Sequence, residues 1–117
     1  MPHLIETQQF DRKSLKELFA LATSLEGKRE KSLEGKILAT LFYEPSPRTR
    51  LSFESAMFRL GGDVITMENG GESSSQAKGE TLEDSIKVVN YYADIIVIRH
   101  SETGAAKRAA AVSNIPI

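Results

Sequence analysis

Apolar positions along this chain alternate between two spacings, and each change of spacing marks an element. Behind Asp11, a good N-cap, the residues Leu15, Leu18, Phe19 and Ala22 recur at helical spacing until Gly27, which predicts a first helix. The run from Lys36 to Glu44, KILATLFYE, is rich in apolar residues between turn formers and predicts a strand covered on both faces. After an EPSP turn, Leu51, Ala56, Phe58 and Leu60 predict a helix stopped by Gly61 and Gly62, and Asp63 to Met67 predicts a short second strand.

Asn69 to Glu80 is polar and rich in glycine and serine, the composition of a loop. Thr81 then precedes Leu82, Ile86, Val89 and Tyr92 at helical spacing, with Glu83 and Asp84 in the first turn, where the helix dipole favours acids. ADIIVIRH predicts a third core strand, Ala105 to Val112 an alanine-rich helix, and Asn114 to Ile117 an apolar stub. Strands alternating with helices imply an α/β fold: a parallel sheet of about four strands between helices on both faces, joined by right-handed crossovers. No repeat or break in composition divides the sequence, so residues 1–117 are expected to form one domain. The apolar stub ends in Ile-Pro-Ile with no element after it, so the domain reads as half of a larger protein.

Composition narrows the classes. At 117 residues the chain can bury about two thirds of its unfolded surface, enough to fold without staples. With 40% hydrophobic and 26% charged residues it belongs with globular domains. A net charge of -1 argues against a dedicated nucleic-acid binder, so any anion site must come from local clustering. The lack of cysteine removes disulfides, thiol nucleophiles and thiolate zinc sites, and two distant histidines suggest no metal centre. No apolar run approaches a membrane span and no secretory signal opens the chain; a cytoplasmic protein is expected.

In an open parallel sheet, ligands bind beyond the carboxyl ends of the strands. Three polar clusters fall there. Ser46-Pro47-Arg48-Thr49-Arg50 opens the second helix, whose first-turn N–H groups can hold phosphate alongside the two hydroxyls and the planar fork of Arg48. The plain alternative is an N-cap serine with solvated arginines, although two arginines in a first turn oppose the dipole. Arg99-His100 follows the third strand, where Arg99 either joins the same crevice or marks the exit to solvent, and His100 reads as a supporting residue. Ser73 to Glu80, with Lys78, reads as a solvated linker or as a loop delivering a cation.

Together FYEPSPRTRLSFE, SSSQAKGETLEDS and YYADIIVIRHSETGAA resemble the carbamoyl-phosphate-binding half of the aspartate carbamoyltransferase family, over essentially the whole chain. The resemblance implies half of a two-domain transcarbamylase. In it Ser46, Arg48 and Thr49 hold the phosphate of carbamoyl phosphate, and Thr49 and Arg99 reach its carbonyl oxygen. Ser74 and Lys78 would enter the neighbouring subunit's site, which implies a homotrimer and allows regulatory subunits. Glu44 resembles the glutamate that helps hold the two domains together on closure, and Arg50 reads as structural support.

The implied reaction, in pyrimidine biosynthesis, transfers a carbamoyl group to the amine of aspartate and needs no cofactor, metal or protein nucleophile. Arg48, Thr49, Arg99 and Lys78 are its implied catalytic residues. Lys78-Gly79-Glu80-Thr81-Leu82 and Arg99-His100 look like the aspartate enzyme rather than its ornithine counterpart. The acceptor domain is absent, so the isolated chain is expected to bind but not turn over. Pro47 departs from the threonine of many members and lacks their N–H donor, although proline suits the first helical position. An ornithine-type or other carbamoyltransferase, a non-catalytic anion-binding or assembly domain, and a nucleic-acid module using Arg48, Arg50 and Arg59 are the alternatives.

Overall fold

The first helix, α1 (Arg12–Leu25), begins where Asp11 accepts the Ser14 N–H at 2.7 Å, while the Ser14 hydroxyl takes the Asp11 N–H at 2.9 Å. These paired bonds satisfy donors that a helix start otherwise leaves open, and they hold the Asp11 carboxyl below its ordinary value. The computed structural model describes residues 3–68 and 79–117. After α1 come β1 (Ile37–Phe42), α2 (Pro47–Arg59), β2 (Asp63–Glu68), α3 (Leu82–Val89), β3 (Ile95–Arg99) and α4 (Ala105–Val112), with a single 3-10 turn, Thr7–Gln9, before α1.

The three strands are parallel in the order β2-β1-β3. Chain direction explains this order: β1 passes through α2 to β2 on one side, then α3 carries the chain back across to β3 on the other. Right-handed crossovers in opposite directions put α2 on one face and α3 with α4 on the other. Burial along β1 agrees. Ala39 and Leu41 join Leu82, Ile86, Ile96, Ala105 and Ala109 in the core beneath α3 and α4, while the alternate residues Leu38, Thr40 and Phe42 point toward α2. The small side chains of Ala39, Ala105 and Ala109, each almost fully buried, let those helices approach the sheet. Phe42 is 1% exposed, and burying such a side chain stabilises by about 1.5–3 kcal/mol.

One polar residue is buried in the middle of β1. Thr40 donates from Oγ1 to Glu54 Oε2 of α2 at 2.9 Å, so its hydroxyl is satisfied. Glu54 thereby fixes the rotation of α2 over the sheet.

The parallel α/β architecture matches the expectation, with three regular strands among the described residues. The stub extends along the free edge of β3, where the Ile96 N–H donates to Pro116 O at 2.9 Å, and the Leu4 N–H donates to Ile117 O at 2.7 Å beyond it. It thus occupies the place of a fourth strand. Two local expectations change. Tyr92 falls outside α3, which ends at Val89 because the side chain of Asn90 turns back to Ile86 O and on to Ser113, so Tyr91 and Tyr92 stand in solvent. In α1, Leu18, Phe19 and Leu21 remain largely exposed among the described residues, since α1 lies beside the end of α2 and not on the sheet.

Candidate functional site

Strand order reverses between β1 and β3, where one chain leaves toward α2 and the other toward α4. Such a switch point opens a crevice at the carboxyl edge of the sheet. The first two of the polar clusters, at Ser46 to Arg50 and at Arg99-His100, are arranged around it.

On one side is the start of α2. Ser46 is the N-cap, but its hydroxyl makes no capping bond; it donates to Thr49 Oγ1 at 3.0 Å. Pro47, at the first helical position, has no N–H to offer. The amides of Arg48 and Thr49 have no acceptor among the described residues. The positive end of α2 therefore presents two N–H groups and a hydroxyl pair. Arg48 is exposed and makes no ion pair among the described residues.

Arg50, one turn further on, is engaged elsewhere. Its guanidinium lies 2.9 Å from Glu68 Oε2 and 3.8 Å from Glu54 Oε1, leaving Nε buried without a hydrogen-bond partner among the described residues. Two carboxylates thus offset a cation that would oppose the dipole, and they tie α2 to the end of β2. Arg59 sits at the other end of α2, about 16 Å from Arg48 at the rise of an α-helix. Arg48, Arg50 and Arg59 consequently form no continuous basic stripe.

Arg99 lies on the other side. It pairs in register with Phe42 and shares that residue's side of the sheet, the one α2 covers. Phe42, Thr49, Phe53 and Arg99 line one groove of about 470 Å³. Arg99 Nε lies 3.3 Å from Glu44 Oε2, with the two side chains 43% and 44% exposed. Glu44 thus occupies the arginine as an anion would. The same pair borders a cleft of about 630 Å³ that continues past Gly104 to Lys107.

The opposite face carries a second pair directly below. The Tyr43 N–H donates to Arg99 O at 2.9 Å, adding a rung beyond the regular ladder, and the Tyr43 and His100 rings lie 4.9 Å apart, tilted by 41°. His100 Nδ1 accepts the Glu102 N–H at 3.1 Å, whereas its Nε2 and the Tyr43 hydroxyl are buried without partners among the described residues. Burial pushes the Tyr43 phenol above its ordinary value; the nearby Ser85 hydroxyl tempers the shift and the Glu80 charge adds to it.

Ser46, Thr49 and Arg99 therefore meet at one sheet edge and on one face, with Arg48 exposed on the same helical turn. Ser74 and Lys78 lie outside the described residues. Two pairings were not legible in the sequence, Glu44 with Arg99 and Arg50 with Glu68, because each joins residues far apart in the chain. Strand parity was the available signal for the first: Glu44 is two residues beyond Phe42, hence on its side of the sheet. Among the described residues no group of three or more His, Cys, Asp or Glu could hold a metal, and no helix is long and apolar enough to cross a membrane.

Residues 2–117 match the family model of the aspartate/ornithine carbamoyltransferase carbamoyl-P binding domain. Aspartate carbamoyltransferase 1, chloroplastic, of Pisum sativum is 62% identical over 97% of this chain, which spans 31% of that relative's length. The catalytic subunit of M. jannaschii aspartate transcarbamoylase superposes with a TM-score of 0.93 at 52% identity, covering 100% of this chain and 40% of the other. The Trypanosoma cruzi aspartate transcarbamoylase solved with carbamoyl phosphate and aspartate has a TM-score of 0.90 at 38% identity, covering 98% of this chain and 39% of the other. The pea relative overturns the expectation of a cytoplasmic protein, since so similar a domain serves in a chloroplast. Composition could not have shown this, because a compartment is commonly addressed by a detachable segment and not by the folded domain.

Proposed function

The chain belongs to the aspartate/ornithine carbamoyltransferase family, as its carbamoyl-phosphate-binding domain, and on that premise we propose that the switch-point crevice takes carbamoyl phosphate for transfer to aspartate. The observation that carries this reading is the meeting of the open first turn of α2, bearing the Ser46–Thr49 hydroxyl pair, with Arg99 on one face of one sheet edge. The phosphate sits at the positive end of α2, against the amides of Arg48 and Thr49, the Ser46 hydroxyl and the Arg48 fork. Thr49 and Arg99 reach the carbonyl oxygen, and Arg99 leaves Glu44 to do so.

In the reaction the amine nitrogen of aspartate attacks the carbonyl carbon, the carbonyl oxygen gathers negative charge, and the bond from carbon to the phosphate oxygen then breaks as a proton from the nitrogen passes to the departing phosphate. Arg99 and Thr49 stabilise the first charge and Arg48 the departing phosphate, with no protein atom bonding covalently to the substrate. Much of the remaining acceleration comes from holding both reactants in line. Ser74 and Lys78 act in a neighbouring subunit of a homotrimer that can carry regulatory subunits. The acceptor site belongs to the part of the relatives that this chain does not span, so the 117 residues by themselves bind without turning over. Aspartate is favoured as acceptor because these relatives bear its name. The pathway served is pyrimidine biosynthesis.

Calorimetry of the native protein with carbamoyl phosphate tests the proposal, with a single-stranded oligonucleotide as the contrast. Saturable binding of carbamoyl phosphate that Ser46→Ala and Arg99→Gln each weaken is expected. Binding of the oligonucleotide alone would refute it.

A further inference from the structure

His100 is half-buried beneath the crevice and has no part in the chemistry above, yet its surroundings are specific. Its Nδ1 accepts the Glu102 N–H, which requires that nitrogen to be unprotonated and leaves the proton of the neutral ring on Nε2. Glu102 is held from two further directions: its carbonyl accepts the Ala105 N–H at 3.3 Å, and its carboxylate accepts Arg108 at 3.1 Å. His100 is thereby bonded to a fixed turn at the start of α4. Its ring packs on Tyr43, the residue whose N–H closes the last rung to Arg99 O. Arg99 thus lies between a backbone rung to β1 and a side chain anchored to α4.

We propose that His100 is a positioning residue for Arg99, its neutral Nε2–H ring locking the end of β3 so that the Arg99 guanidinium stays on the α2 side of the sheet. The inference rests on the reading of that crevice as an anion site and adds a requirement to it. One ring nitrogen is asymmetrically important: Nδ1 makes the bond that matters, while buried Nε2 has no partner among the described residues. Two substitutions separate them, because an asparagine carbonyl can stand near the position of Nδ1 whereas the longer glutamine amide reaches that of Nε2. Without the anchor Arg99 samples orientations away from the ligand, and the loss appears in ligand affinity.

The experiment measures carbamoyl phosphate affinity and thermal midpoint for the native protein and for its His100→Asn and His100→Gln variants. His100→Asn should bind within about threefold of the native protein and His100→Gln about tenfold more weakly, the range set by losing one hydrogen bond in a preorganised site. The midpoints of the two variants should lie close together. Equal losses in both variants, or native affinity in His100→Gln, would overturn the role of Nδ1. Absence of binding by the folded native protein would instead refute the anion-site reading itself. Long-range proton–nitrogen NMR of the native protein gives a check independent of any variant's folding: a pyridine-like Nδ1 and a pyrrole-like Nε2 are expected, and the reverse tautomer would overturn the proposal.

Discussion

Replacing Glu44 with glutamine removes the carboxylate that occupies Arg99 while keeping the side chain's size and hydrogen-bonding capacity. The pair is 3.3 Å apart and both partners are more than two fifths exposed, so solvent screens most of their attraction. An exposed pair of this kind is worth about 0.2–1 kcal/mol, against several times that in a buried setting. An anion that recruits Arg99 must displace Glu44 and forgo that energy. Glu44→Gln should therefore tighten carbamoyl phosphate by at most about fivefold, because 1.4 kcal/mol corresponds to a factor of ten.

The assay is isothermal calorimetry at low and at high salt, for the native protein and the variant. The difference between them should shrink as salt rises, since the Debye length falls from about 30 Å at 0.01 M to about 10 Å at 0.1 M. Turnover need not improve, because the same carboxylate is expected to help hold the closed form together. Unchanged or weaker binding at low salt would refute the reasoning: Glu44 would then be orienting Arg99 for the ligand and not competing with it.

Pro47→Thr restores a backbone donor at the start of α2, and calorimetry should show tighter carbamoyl phosphate binding by less than about 2 kcal/mol, since proline's preset geometry offsets part of the gain. If Lys78 serves a neighbouring subunit in a complete enzyme carrying this half, Ser46→Ala and Lys78→Ala homotrimers of that enzyme, each nearly inactive, should regain activity after dissociation and joint reassembly. Mixed trimers confirmed by native mass spectrometry but no more active than their parents would show that each chain uses its own lysine. Glu83 accepts two hydrogen bonds from Arg108, at 2.7 and 3.2 Å, which hold its carboxyl below the ordinary value and clamp α3 to α4. A depressed folded-state value stabilises above the ordinary carboxylate range and is lost as pH falls through it. The lower thermal midpoint of Glu83→Gln at neutral pH should therefore converge on that of the native protein as pH falls below the ordinary carboxylate range.

Features decided within a few residues could be read from the sequence by itself. The N-cap Asp11 accepts the amide three residues on, and the predominantly apolar run of β1 marks the strand flanked on both edges. The placing of Ser46 to Arg50 and of Arg99-His100 at strand ends followed from the alternation of strand and helix, as did the expectation that these two clusters share a crevice. Contacts between distant segments were decided only in the tertiary structure. The Ile37 N–H finds the Asp94 carboxylate 57 residues away, Arg50 settles on Glu68 and not on a ligand, and Arg99 is occupied by Glu44. Neither propensity nor periodicity carries such pairings, since both report what neighbours at i+2, i+3 or i+4 do. The exposed apolar side of α1 shows the same limit, because spacing marks a side as able to be buried while only packing says whether something covers it. His100 is the clearest case: as a residue type it is a donor, an acceptor or a cation, and the Glu102 amide beneath the sheet edge selects one of the three.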